Sequence, residues 1–215
     1  MKFITEVFDQ AEVLTEQVDG KKKFFIEGIF MQSEIKNKNG RIYPRAVMEN
    51  EVNRYMTAKV GNKTAYGELG HPTGPTINPE RVSHLIESLH WDGNNVIGKA
   101  RVLDTPYGLI AQEMMNGGGR LGVSSRGLGS LKENNGVMEV QSDFYIATAA
   151  DIVTDPSAPD AMVRMVNENI DWIMEDGVWT PREREENIKT LAKMGKEKEA
   201  ALLSIFESFL AKLKV

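Results

Sequence analysis

Gly122–Gly129 reads Gly-Val-Ser-Ser-Arg-Gly-Leu-Gly, two adjacent hydroxyls among glycines, just after the run Asn-Gly-Gly-Gly-Arg at 116–120. Glycine widens the backbone's choice of conformation and lets a neighbouring segment come close. A serine in such a place is either a turn residue or a nucleophile that must be reached. The surrounding pattern is not the Gly-x-Ser-x-Gly elbow of the α/β-hydrolases, because Val123 stands two residues before Ser125 and Arg126 two after Ser124. The chain also lacks the alternation of strands and helices that carries that fold. A serine enzyme built on this octamer therefore needs an all-β or α+β scaffold. The triple glycine is followed by no Gly-Lys-Ser/Thr, which disfavours nucleotide hydrolysis.

Outward from the octamer, the chain is rich in strand signals. Lys23–Ile35 reads as a strand, and Asn39-Gly40 as a turn. Arg81–Leu89 and Asn95–Leu103 read as two strands joined by a hairpin at Trp91-Asp92-Gly93-Asn94-Asn95. Residues 119–131 and 136–154 read as further strands. Two helices interrupt them: one opens at Pro44 with Val47, Val52 and Tyr55 on one face, the other is capped by Thr105 with Pro106 at its first position. Residues 1–20 are mixed and polar and read as a loosely held arm. Beyond Pro159 the sequence becomes charged and periodic. Thr180-Pro181 there signals a helix start, and Leu202, Leu203, Phe206, Phe209, Leu210 and Leu213 form an amphipathic stripe. The expected division is an arm over 1–20, a main domain over 21–165 and a helical extension over 166–215.

Composition narrows the function classes. The chain has 215 residues, 41% hydrophobic and 27% charged, which suits a soluble domain with an appendage. No apolar run is long enough to span a bilayer, and the N-terminus lacks the apolar core of a signal peptide. With no cysteine there is no disulfide, thiolate nucleophile or cysteine-ligated metal, as suits a reducing compartment. A net charge of −5 argues against general affinity for nucleic acid.

Three histidines supply the candidate bases: His71, His84 and His90. His71 sits in Gly67-Glu68-Leu69-Gly70-His71-Pro72, a glycine-flanked loop, whereas packing or surface exposure accounts for the other two. Their spacing matches no short zinc motif, so a metal hydrolase is the weaker reading. Asp151, Asp155 and Asp160 follow the serines in Ala-Asp-Ile-Val-Thr-Asp-Pro-Ser-Ala-Pro-Asp-Ala. Asp151 ends a strand, and the other two read as turn residues.

Taken together and in order, the blocks around Gly67–Pro72, Gly122–Ser130 and Asp151–Ala161, with Ile26–Pro44 before them, resemble the prohead core (maturation) proteases of T-even-like tailed phages, relatives of herpesvirus assemblin. The likeness covers about residues 24–161. It implies an α+β fold, an assemblin-like β-barrel core flanked by helices, with a helical C-terminal extension. It implies His71 as general base and Ser125 as nucleophile, Ser125-Arg126-Gly127 fitting the family's Ser-x-Gly where Ser124 does not. Assemblin's second histidine has no counterpart here, since none follows His90. An acid must then orient His71, Asp151 first and Glu68 second, or the pair works as a dyad. Arg126 would support the oxyanion site or form an exposed salt bridge. The resemblance further implies cleavage after glutamate with Leu or Ile two residues before. Residues 4–6, 14–16, 85–87, 173–175 and 205–207 carry that pattern, and self-trimming of both ends follows from it. The implied substrates are scaffold and major capsid proteins inside a prohead in the host cytoplasm, with a possible homo-oligomer and no cofactor, nucleic acid or membrane partner. An inactive scaffold protein of the same fold is the rival.

Overall fold

The computed structural model describes residues 1–8, 12–18, 21–70, 72, 74–154, 170–175 and 178–183. Its centre is the glycine-serine octamer itself, which forms strand β8 (Gly122–Gly129), buried along its whole length. Two antiparallel partners flank it: β1 (Lys2–Phe8) and β11 (Tyr145–Val153). A strand enclosed on both sides by chain and covered on both faces needs small side chains. At Gly127 even a Cβ would stand 2.6 Å from the Phe144 ring, which explains one of the glycines that surround the serines.

The largest sheet is antiparallel, in the order β2 (Glu12–Val18), β3 (Lys21–Gln32), β7 (Asn95–Val102), β6 (Val82–Asp92), β5 (Tyr66–Glu68). In β7 burial alternates without a break, with Val96, Gly98, Ala100 and Val102 inward. That is the period-two pattern of a sheet with one face on the core. A parallel bridge between Leu69 and Ile152 ties the β5 end of this sheet to β11. A small sheet of β4 (Arg41–Ile42), β10 (Val137–Val140) and β9 (Leu131–Asn134) completes the body.

Helix α1 (Arg45–Tyr55) follows Pro44, continues as a π-helical turn over Met56–Val60, and buries Met48, Glu51, Val52 and Tyr55. The Glu51 carboxylate accepts from the Ile146 N–H at 2.6 Å, and Arg54 donates to the Ile146 carbonyl at 2.8 Å, which fixes the helix against β11. Helix α2 (Pro106–Asn116) begins as the sequence predicts, with Thr105 Oγ1 accepting from the Gly108 N–H at 3.1 Å. The core joins α1, the large sheet and the β8 sheet through Phe30, Ile26, Tyr55, Ile146 and Ile152.

Three expectations change. Residues 2–8 and 12–18, read as a loose arm, are strands with ladder partners on β8 and β3. Residues 170–183, read as helical, carry the antiparallel pair β12 (Ile170–Glu175) and β13 (Val178–Glu183), so Thr180-Pro181 lies in a strand. β-branched and aromatic residues sit in a run too short for a helix to win without tertiary support. The described residues form an α+β arrangement of separate sheets and close no barrel. The amphipathic stripe at 202–213 lies outside the described residues.

Candidate active site

Adjacent strand residues point to opposite faces, so the sheet separates the serine doublet that the sequence leaves side by side. Ser124 is fully buried opposite Asp151, and its Oγ has no hydrogen-bond partner. Ser125 is opposite Glu6 of β1 and lines a cavity with Glu6, Tyr43, Met48 and Phe144. Of the two hydroxyls, only that of Ser125 borders this cavity.

On the Ser124 face lies a fully buried ionic cluster centred on Arg126. Its Nη2 donates to Glu68 Oε1 and Asp151 Oδ1, each at 3.1 Å, and its Nε stands 2.5 Å from Asp151 Oδ2. Its Nη1 donates to the Gly74 carbonyl at 2.8 Å. Glu68 Oε1 also accepts from the Asn78 N–H at 2.9 Å, and Asp151 Oδ1 from the Glu68 N–H at 2.8 Å. One guanidinium thus holds both ends of the 68–78 segment to β8 and β11. The exposed salt bridge expected of Arg126 is not found: the residue is fully buried, and its side chain shares a face with Ser124 instead of Ser125. Burial pushes the Asp151 carboxyl up to about 6, against the pull of Arg126.

His71 lies outside the described residues. The residue before it, Gly70, donates its N–H to the Ile152 carbonyl at 2.8 Å, so the chain entering residue 71 leaves from β11, the neighbour of the serine strand. The three residues expected to act together therefore stand as follows. Ser125 faces the cavity, Asp151 is locked to Arg126 across the sheet, and the segment bearing His71 is anchored to both sides of that cluster.

The remaining histidines are accounted for by the fold. His84 is buried, with Nε2 at 3.0 Å from the Ala150 carbonyl and Nδ1 at 2.9 Å from Ser83 Oγ. A carbonyl only accepts, so Nε2 carries the proton and Nδ1 accepts from Ser83. Burial lowers the imidazole to about 4 and keeps it neutral. His90 is exposed six residues further along the same strand, about 20 Å away at 3.3 Å per residue. The two cannot ligate one ion, which removes the metal reading that needed both.

What faces Ser125 is not announced by any motif. Glu6, although a carboxylate, is 4% exposed. Its Oε1 accepts from Arg41 Nη1 at 2.8 Å and Tyr43 Oη at 2.8 Å, and its Oε2 from Asn39 Nδ2 at 2.7 Å. Arg41 and Asn39 also reach the Thr5 carbonyl, both at 3.3 Å. Burial and the neighbouring Glu6 charge hold the Tyr43 hydroxyl well above its usual range, so it stays a donor. The signals were present in Ile4-Thr5-Glu6 and in Asn-Lys-Asn-Gly-Arg-Ile-Tyr at 37–43, but nothing in sequence spacing pairs them.

A family model described as prohead core protein serine protease matches residues 5–171. The chain belongs to this family. The matched span is wider than the 24–161 that the motifs cover and takes in most of β1. Prohead core proteases include the prohead core protein protease of Enterobacteria phage T4, 41% identical over 166 residues, 74% of this chain and 78% of that one. The solved structure of the bacteriophage T4 capsid assembly protease is similar in fold, with a TM-score of 0.67 and 34% identity, covering 71% of this chain and 96% of that one. Among the described residues no cluster of three or more His, Asp or Glu could hold a metal ion, and no helix is long and apolar enough to cross a membrane.

Proposed function

We propose that the protein is a serine endopeptidase of phage capsid maturation that acts inside the prohead on scaffold and major capsid proteins. Ser125 is the nucleophile, His71 the general base and then acid, and Asp151 the acid that fixes the histidine's orientation. A serine hydroxyl attacks a carbonyl only when a base takes its proton, and the imidazolium that forms is steadied by a nearby carboxylate. The observation that carries this reading is the placement of Ser125 on a cavity in the strand next to the one that anchors Gly70. Membership of the protease family supports it. The buried Arg126 cluster supports Asp151's part by joining that residue to the segment that bears His71.

Cleavage follows glutamate in Leu/Ile-x-Glu sequences, and the enzyme trims itself. Of its own sites, Glu87 lies in β6 and pairs with Arg101 at 2.6 Å, inside the five-stranded sheet, where folding protects it. Glu6 is the site that lies opposite Ser125.

The test is mass spectrometry of the full chain and its Ser125→Ala variant after incubation at neutral pH. Fragments ending at Glu6, Glu16, Glu175 or Glu207 in the wild type alone establish the activity and the nucleophile. The same fragments in both chains would remove Ser125 from that role. An intact wild type that also leaves peptide substrates uncut would favour a scaffold protein of the same fold.

A further inference from the structure

Two guanidiniums hold the segment that carries His71, one from within and one from its outer rim. Arg126 is the inner one, bonded to Glu68 Oε1 and the Gly74 carbonyl. Arg81 is the outer one. It ends the 3₁₀ turn Pro79–Arg81 just before β6, and its side chain is 37% exposed. Its Nη2 donates to the Leu69 carbonyl at 2.9 Å, and its own carbonyl accepts from the Leu69 N–H at 3.4 Å. One residue thus fixes the peptide groups on both sides of Leu69, with its main chain on one and its side chain on the other. Its Nε also stands 3.6 Å from Glu68 Oε2, the carboxylate oxygen that Arg126 leaves without a hydrogen bond. At this point the β5–β6 ladder has run out, its last pair being Glu68 with Val82. Arg81 takes over where the sheet stops, two residues before His71. Gly70 then turns away with φ +87°, a conformation that favours glycine, and a Cβ there would stand 3.1 Å from Arg81 Nη2. The ring of Tyr107, at the start of α2, lies 5.5 Å from the guanidinium carbon and backs it.

We propose that Arg81 is a positioning residue of the reaction: it sets the direction in which the chain leaves Leu69 and so holds the imidazole of His71 to Ser125. The inference rests on the reading of those two residues as base and nucleophile. A base works only within hydrogen-bond reach of the proton it takes, and a misplacement of about 1 Å can cost about a hundredfold in rate. The two arginines divide the task. Arg126 lies in the interior, where its loss unsettles the fold. Arg81 lies on the rim, where water takes over its bonds and the fold tolerates the change. The planar fork of the guanidinium matters as well as its charge. It reaches the Leu69 carbonyl and faces Glu68 at once, which the single ammonium of lysine does not reproduce.

The test measures kcat and KM of the full chain on a fluorogenic peptide that copies residues 12–18, Glu-Val-Leu-Thr-Glu-Gln-Val. Beside it, the rate at which diisopropyl fluorophosphate labels the serine reports on the base without any peptide bound. Arg81→Gln lowers kcat and the labelling rate together, each about tenfold or more, with KM within about twofold and the urea midpoint almost unmoved. Arg81→Lys keeps the charge and shows most of the same loss. An unchanged kcat in a folded Arg81→Gln chain overturns the proposal. So does a raised KM with kcat intact, which would place Arg81 on the substrate instead. Should Arg81→Gln not fold, Arg81→Lys decides alone, and a wild-type kcat in it overturns the proposal. His71→Ala and Ser125→Ala keep the underlying reading separate, since both abolish cleavage if it holds, whatever Arg81 does. Full activity in either variant removes that reading, and the proposal with it.

Discussion

Ser124 and Ser125 are one position apart in the chain and a whole sheet face apart in space. The Ser124 hydroxyl is buried without a partner, so Ser124→Ala removes an unmet polar group. Self-cleavage should persist in that variant, with stability unchanged or raised by up to about 1 kcal/mol in urea unfolding. Loss of cleavage would show that the doublet has been assigned the wrong way round. Arg126 presents the opposite case. Arg126→Met leaves the buried Asp151 without its cation and Glu68 with only Arg81 at 3.6 Å, and breaking such a cluster costs about 3–5 kcal/mol. Because the same guanidinium also pins Gly74, kcat for a peptide substrate should fall even below the melting temperature, while KM changes little. Gly67 has no room for any side chain: a Cβ would stand 2.2 Å from His84 Nε2 and 2.3 Å from the Ala150 carbonyl. Gly67→Ala should cost about 1–3 kcal/mol, the usual range for overpacking, seen as a lower urea midpoint with an unchanged slope.

Elements differ in how far their own residues determine them. Helix α2 carries its start signal in the sequence: Thr105 Oγ1 accepts from the Gly108 N–H and donates to the Val82 carbonyl at 2.5 Å. Thr105→Ala should therefore cost about 1–2 kcal/mol, at the upper end for a lost cap because both bonds go together. The β6–β7 hairpin is equally local, its alternating residues and Asp92-Gly93 turn agreeing on one register. β1 is the contrary example. Phe3 and Ile4 are buried, yet the stretch around them is polar enough to read as an arm, because half of its fit comes from donors on another segment, 39–43. β12 and β13 likewise needed neighbours: β12 runs beside β1, and Trp179 of β13 packs on Tyr145 with ring centres 5.3 Å apart.

At the scale of the whole molecule, two buried groups set opposing responses to acid. His84 is neutral in the fold, its imidazole lowered from 6.5 to about 4 by burial. The unfolded chain binds that proton first, so this group's share of stability is present above pH 6.5 and is lost as pH falls toward 4. Asp151 is raised from 3.8 to about 6, so the folded chain binds its proton first, and its share is lost as pH rises across that window. Between about pH 4 and 6 the two proton counts cancel. Asp151→Asn should expose the histidine, with stability falling by about 1.4 kcal/mol for each pH unit of acidification. His84→Gln should show the opposite slope over the same range. Unfolding curves at half-unit pH steps for the two variants check both signs, and parallel slopes would rule out this account.

What the sequence determined by itself was whatever depends on residues close together in the chain. The strands β3, β6, β7, β8 and β11, both helices, the turn at Asn39-Gly40, the α+β class and the family all follow from local patterns of apolar spacing, caps, glycines and short motifs. The serine doublet and the carboxylates Glu68 and Asp151 were visible as candidates for the same reason. Tertiary structure alone decided which serine faces the cavity and which face Arg126 occupies, because a strand's two faces become different only when other segments cover them. It also decided that Glu6 meets Asn39, Arg41 and Tyr43. Contacts between residues more than thirty positions apart leave no spacing to read: they exist once burial has brought the strands together and every buried charge has had to find a partner.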